Sequence, residues 1–172
     1  ELRARWQFGE QMQQIRDSTT VPILTGEDIF LKEPFMKLIE MGAVDMIHPD
    51  LASSGGLIET KKIGDYAMEH GVAMAMHFAG TPISFMANVH CAAATENFIA
   101  LEHHFADVPF WNDFVAGPPL IENGYIAVPD APGLGFELNP DAIRAHLVPD
   151  DPGCFEPTPQ WDGERSWDRL WS

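Results

Sequence analysis

Val72-Ala73-Met74-Ala75-Met76-His77-Phe78-Ala79-Gly80 is the stretch that decides the fold. Its first half is apolar at every position and too short for a helix, which is how a strand covered on both faces reads. It stops at an ionisable side chain, His77, followed by turn chemistry. The same phrase recurs in both directions. Upstream, residues 56–70 carry Ile58, Ile63, Tyr66 and Ala67 on one helical stripe, and Gly71 ends it. Before that stands the strand Val44-Asp45-Met46-Ile47, ending in His48-Pro49-Asp50. Residues 33–41 form the preceding helix through Phe35, Leu38 and Ile39, with Gly42 as its stop. Further upstream lie the strand Val21-Pro22-Ile23-Leu24 and its polar end Thr25-Gly26-Glu27-Asp28. Downstream, an Ala-rich helix over 82–95 leads to the strand Phe98-Ile99-Ala100-Leu101, which ends in Glu102-His103-His104. Residues 1–17, with Leu2, Trp6, Met12 and Ile15, read as an amphipathic helix closed by Ser18-Thr19-Thr20.

Strands alternating with helices imply βαβ units and a parallel sheet. The strand ends fall at Glu27, Asp50, His77 and Glu102, in steps of 23, 27 and 25 residues. A (β/α) barrel allots roughly 31 residues to each unit, loops included. A doubly wound sheet has a similar step, so periodicity alone leaves both architectures open. Past residue 105 the pattern breaks. Gly124-Tyr125-Ile126-Ala127-Val128 reads as a strand, and residues 140–147 as a short helix with Asn139 as N-cap and Pro140 at its first position. From Val148 onward Pro and Asp dominate, with Trp161, Trp167 and Trp171 among them, as in a tail docked on another surface.

The chain of 172 residues is 45% hydrophobic, enough for a real core. Its 10 Lys and Arg stand against 26 Asp and Glu, a net charge of −16. Such a field repels nucleic-acid backbones and anionic membrane surfaces. Apolar runs are short, so no span across a bilayer is expected, and no basic start precedes an apolar run as in a signal peptide. Cys91 and Cys154 are the only cysteines, too few for a disulfide framework or a cysteine zinc site. The expectation is a soluble cytoplasmic protein.

In parallel α/β folds the carboxyl ends of the strands share one face, where sites are built. Glu27, Asp50, His77 and Glu102 are therefore expected at one mouth; the competing reading is solvated loop side chains. A strand-end Glu can hold a hard cation through oxygen. An Asp beside a His orients the imidazole and favours its charged form, which makes a general acid or base. A further Glu can hydrogen-bond a developing oxyanion. The set suits removal of a proton next to a carboxylate, with a metal stabilising the resulting charge.

The segments Pro22-Ile23-Leu24-Thr25-Gly26-Glu27, Ile47-His48-Pro49-Asp50, Ser54-Gly55-Gly56-Leu57, Met76-His77-Phe78, Leu101-Glu102 and Val128-Pro129-Asp130-Ala131-Pro132-Gly133-Leu134-Gly135 carry a family resemblance. From Val21 to about Ala145 the chain resembles the C-terminal part of the barrel domain of the mandelate racemase/muconate lactonising enzyme family, in the enolase superfamily. The resemblance implies an α/β fold, the C-terminal half of a TIM-type barrel (strands 5–8 with their helices) plus a C-terminal capping segment. Residues 1–115 would form the half-barrel, 116–147 a strand/turn segment closing against the capping region, and 148–172 the tail. It implies Glu27 as a magnesium ligand, Asp50 and His77 as an Asp–His dyad, and Glu102 as the acid that bonds the substrate carboxylate or its enediolate. The dyad points to the racemase-like branch, since no lysine stands on the sixth strand. The family's other two carboxylate ligands, its second-strand base and its N-terminal capping domain are not in this sequence, so it reads as the second half of a longer protein.

Other residues carry plainer expectations. His103 and His104 are adjacent on a strand, point opposite ways, and read as loop histidines near the mouth. His48 shares a face with Asp50 and either packs or lines the site, packing being favoured. His90 and Cys91 read as buried structural residues, and Met74 and Met76 as core. Ser53-Ser54-Gly55-Gly56 reads as a turn before a helix. The parent activity the resemblance implies is magnesium-dependent loss of water from a sugar acid, by a homo-oligomer acting on a small molecule. A racemase or epimerase of a 2-hydroxy acid using the same dyad, and a non-catalytic half-barrel serving binding or assembly, are the alternatives.

Overall fold

The computed structural model describes residues 6–104 and 108–148. The Trp-rich tail beyond Val148 and the start of the expected first helix, including Leu2, lie outside the described residues. Helix α1 (Gly9–Asp17) leads to β1 (Leu24–Thr25), α2 (Lys32–Glu40), β2 (Met46–Ile47), the short α3 (Leu51–Ser54), α4 (Gly56–Glu69), β3 (Ala73–Met76), α5 (Pro82–Ala93) and β4 (Phe98–Leu101). A 3₁₀ turn (Trp111–Phe114), β5 (Val115–Ala116), β6 (Glu137–Leu138) and α6 (Pro140–Ala145) follow.

The sheet settles what periodicity left open. β1 to β4 are all parallel and lie in the order β1-β2-β3-β4, each beside its neighbour in sequence. A doubly wound sheet reverses its strand order at a switch point, whereas a barrel wall advances one way. α2 packs on α4 and α4 on α5, so successive helices run side by side as in a barrel's outer ring. The fold is α/β, an arc of four parallel strands of a barrel.

One face of the sheet is packed more tightly than the other. In register, Ile47 stands beside Met74, and both are buried against Phe35, Leu38, Ile63, Ala67 and Cys91. Met74 and Met76 are therefore core, as expected. On the opposite face Met46, Ala73 and Ala75 are only half-buried, so the even covering expected from the sequence does not hold there. The helices cover one side of the arc, and the other side faces the inside of a barrel, which the four strands described do not fill. Phe35 is fully buried, a burial that contributes about 1.5–3 kcal/mol. Two expected stripe residues point to water instead: Ile58 is 75% exposed and Ile15 37%.

A second cluster sits past the strand ends. Phe78, Phe85, Met86, Val89 and Trp111 pack together, and Trp111 Nε1 donates to the Gly80 carbonyl at 2.9 Å. This ties the segment after β4 back to the turn after β3. The strand expected over 124–128 is not formed. Asn123 and Gly124 both have positive φ, and Glu122 and Tyr125 exchange backbone hydrogen bonds of 2.8 and 2.9 Å across them. Asn-Gly makes a tight reversal there, and the strand pair forms instead between β5 and β6, with Val115 opposite Leu138. α6 begins as expected, with Asn139 accepting from Ala142 N.

At the opposite end of the sheet, Asp45 joins three elements. Its carboxylate accepts the Ile23 N–H at 2.8 Å and Arg16 Nε at 2.9 Å. The Ile23 N–H holds this carboxyl below the usual range, against the opposing effect of burial and with help from Arg16. A depressed folded-state value means stability that is present above the unfolded carboxyl range and lost as pH falls through the folded value. Urea titrations at about pH 6 and pH 3 are expected to show wild type losing more stability than Asp45→Asn. Equal losses would remove Asp45 from the acid response.

A candidate acid–base site at the strand ends

The strand ladder itself aligns the site. Asp50 and His77 form a single parallel bridge beyond β2 and β3, with His77 N donating to the Pro49 carbonyl at 3.1 Å. Glu102 N is pinned to the Met76 carbonyl at 3.0 Å, and His48 N to Thr25 at 2.9 Å. The main chain that follows β2, β3 and β4 is thus tied to an adjoining strand at His48, His77 and Glu102.

Asp50 also caps α3. Its Oδ1 accepts the Ala52 N–H at 2.8 Å, while Oδ2 lies 2.7 Å from His77 Nδ1. The helix was not expected, although an Asp before it is a preferred N-cap. Since an ionised carboxylate only accepts, His77 Nδ1 carries the hydrogen and Nε2 faces the site. Nε2 lies 3.0 Å from Glu27 Oε2 and 3.6 Å from Glu102 Oε2. The structure thus brings together all four strand-end residues singled out by sequence: Glu27, Asp50, His77 and Glu102.

Two histidines join them. His48 is buried, with Nδ1 2.7 Å from the Ala75 carbonyl oxygen and Nε2 3.3 Å from Glu102 Oε2. It therefore lines the site, where packing was favoured. His104 Nε2 is bonded to Glu102 Oε1. The signal for both was alternation, because each sits two residues from a site carboxylate on its own strand. His103 turns the other way, into the rings of Phe78, Phe85 and Trp111. Burial, then the charge of His104, lowers its pKa. At Glu102 burial acts to raise the pKa. The bonds from His104 and from Phe78 N–H, with the charges of His104 and His77, outweigh it and leave the carboxyl below its ordinary value.

The serines near the site serve the fold. Ser53 Oγ donates to the Glu27 carbonyl at 3.2 Å, which holds the loop bearing Glu27. Ser54 Oγ and Thr60 Oγ1 bond each other at 2.7 Å in a buried contact.

His77, Glu102 and His104 offer ligand atoms within 4.8 Å of one another. Two imidazoles with one carboxylate are a poor match for magnesium, which takes oxygen ligands. The Glu27 carboxylate is an oxygen donor of the required kind at the same mouth.

Acid–base side chains gathered at the carboxyl ends of parallel strands are the arrangement in which (β/α)-barrel enzymes build their sites. The chain belongs to the enolase C-terminal domain-like family, whose sequence pattern matches residues 4–142. The expected kinship with the mandelate racemase/muconate lactonising enzyme family holds. The chain is 43% identical over 134 residues to D-xylonate dehydratase of Haloferax volcanii, covering 78% of this chain and 32% of that protein. It is 31% identical over 144 residues to D-galactarolactone cycloisomerase of Agrobacterium fabrum, covering 79% and 38% respectively. Among solved structures, a mandelate racemase/muconate lactonizing enzyme-like protein from Rubrobacter xylanophilus matches with a TM-score of 0.81 and 37% identity, over 84% of this chain and 37% of that one. The chain spans about a third of the length of the curated relatives it matches.

Proposed function

We propose that the protein bearing this chain removes the proton α to the carboxylate of a sugar acid and expels water, as a magnesium-dependent dehydratase. The observation that carries this reading is the Asp50–His77 pair with its Nε2 turned toward Glu27 and Glu102. The names of the relatives, dehydratases of sugar acids among them, support the substrate class.

Asp50 keeps the imidazole in one tautomer and stabilises its cation, so His77 Nε2 is the atom that moves a proton. In dehydration Nε2 takes the α proton, leaving the electron pair in the enediolate, and returns that proton to the hydroxyl on the neighbouring carbon, which leaves as water as the pair forms the carbon–carbon double bond. Glu102 lies on the same side and bonds the substrate carboxylate or the enediolate formed from it. Glu27, Asp50 and Glu102 make the mouth anionic, so a carboxylate substrate needs compensating positive charge to enter it. Glu27 is the residue of this chain that would hold magnesium, which when bound supplies Lewis-acid stabilisation of the charge developing on the substrate carboxylate. β1 and β4 each pair on one side only among the described residues. As the outer strands of the arc, they are expected to be flanked by further strands or a second copy of the chain.

The test is incubation of the full protein with a panel of sugar acids in deuterated water, with magnesium and with a chelator. Dehydration gives a 2-keto-3-deoxy acid, and only with magnesium. Exchange of the α hydrogen without loss of water would place the protein with the racemases and epimerases. Neither exchange nor dehydration of any substrate would leave a non-catalytic binding or assembly module.

A further inference from the structure

We infer that His48 is a positioning residue that holds Glu102, making a second acid–base pair beside Asp50–His77. This deepens the functional reading above and rests on it for its consequence in catalysis. His48 is only 6% exposed, and a buried imidazole needs partners at both ring nitrogens. Nδ1 faces the Ala75 carbonyl oxygen at 2.7 Å, which can only accept, so Nδ1 carries a hydrogen. Nε2 faces Glu102 Oε2 at 3.3 Å. An N–H on Nε2 points at that oxygen, so the Glu102 carboxylate is the partner this nitrogen has. A ring flip would turn carbon toward the Ala75 carbonyl and break the first bond, which fixes the ring's orientation.

His48 thereby braces three strands: it stands after β2, bonds the main chain of β3, and reaches the carboxylate at the end of β4. The other groups around Glu102 are less suited to fixing it. Phe78 N lies 3.5 Å from Oε2, a long contact. His104, bonded to Oε1, is 52% exposed. His77 is committed to Asp50 and, in the proposed reaction, to substrate. The His48 ring also abuts His77 edge-on, with centroids 5.2 Å apart, so it braces both members of the site.

Two substitutions separate positioning from packing. His48→Gln places an amide N–H near the position of Nε2 and can still donate to Glu102. His48→Asn places one near Nδ1 and reaches only Ala75. In the full protein, on whichever sugar acid wild type turns over, His48→Asn is expected to lose about ten- to a hundred-fold in kcat with KM little changed. His48→Gln is expected to regain most of that loss. Equal losses in the two variants, or none, would overturn the assignment. Crystal structures of both variants give a readout that needs no activity. Glu102 Oε2 should leave its position in His48→Asn and keep it in His48→Gln, and a Glu102 unmoved in both overturns the assignment. If wild type turns over no sugar acid, the functional reading fails and these two structures alone decide the role of His48.

Discussion

His77→Asn is expected to lower turnover of the sugar acid by about 10²–10⁴-fold while leaving magnesium affinity close to that of wild type. The amide nitrogen of Asn stands near the position of His77 Nδ1 and can still donate to Asp50 Oδ2, so the frame of the site is kept. What goes is Nε2, the atom that faces Glu27 and Glu102 and that moves the proton in the proposed reaction. Glu27, the proposed magnesium ligand, is untouched. Asp50→Asn is expected to do less damage, because it removes the partner of the imidazole and leaves the imidazole itself. Turnover on the sugar-acid panel, exchange of the α hydrogen and calorimetric titration with magnesium decide the matter. A His77→Asn variant with turnover and exchange near wild type would return His77 to a structural role.

Gly26→Ala is expected to destabilise the fold by about 2–5 kcal/mol, from backbone strain and overpacking together. Gly26 has φ +150°, and a Cβ there would lie 2.8 Å from Phe35 Cε1 and 2.9 Å from both the nitrogen and the carbonyl carbon of His48. The ring of Phe35 is fully buried and cannot swing away cheaply. The His48 contacts are backbone, so relief requires the end of β2 to shift, and that end carries His48 and Asp50. Gly71→Ala serves as the control. Gly71 also has positive φ (+72°), but nothing lies within 4 Å of a Cβ placed there. It should cost only about 1 kcal/mol in conformational preference. Chemical denaturation of the two variants gives the comparison. A Gly26→Ala protein no less stable than Gly71→Ala would show that the chain around β1 yields more readily than its packing implies.

What the sequence made legible follows from the kind of signal each feature gives. The apolar runs ending in Glu27, Asp50, His77 and Glu102 are local, and parallel strands bring such ends to one side whatever the detailed packing. Barrel against doubly wound sheet was not local. It depends on which strand lies beside which, and β1-β2-β3-β4 order is visible only in the folded chain. Ile58 failed for a plainer reason: at about 100° per residue, nine residues put it on the opposite face of α4 from Ala67, so it is exposed while Ile63 and Ala67 are buried. In 124–128 the composition of a strand competed with the turn preference of Asn123-Gly124, and the turn won. His48 could be placed on the Asp50 side by alternation, but its partners, Ala75 and Glu102, come from other strands.

The divided carboxylate of Asp50 has a consequence for the timing of order in this protein. One oxygen is engaged by α3 and the other by His77, so a single rotamer serves both. Its freedom of rotation is surrendered when the chain folds and α3 forms, long before any substrate arrives. A side chain that had to find the imidazole during each turnover would lose that entropy at the barrier itself. Here helix formation has already removed it, and in the proposed reaction the dyad meets its substrate with the Asp50 side chain set.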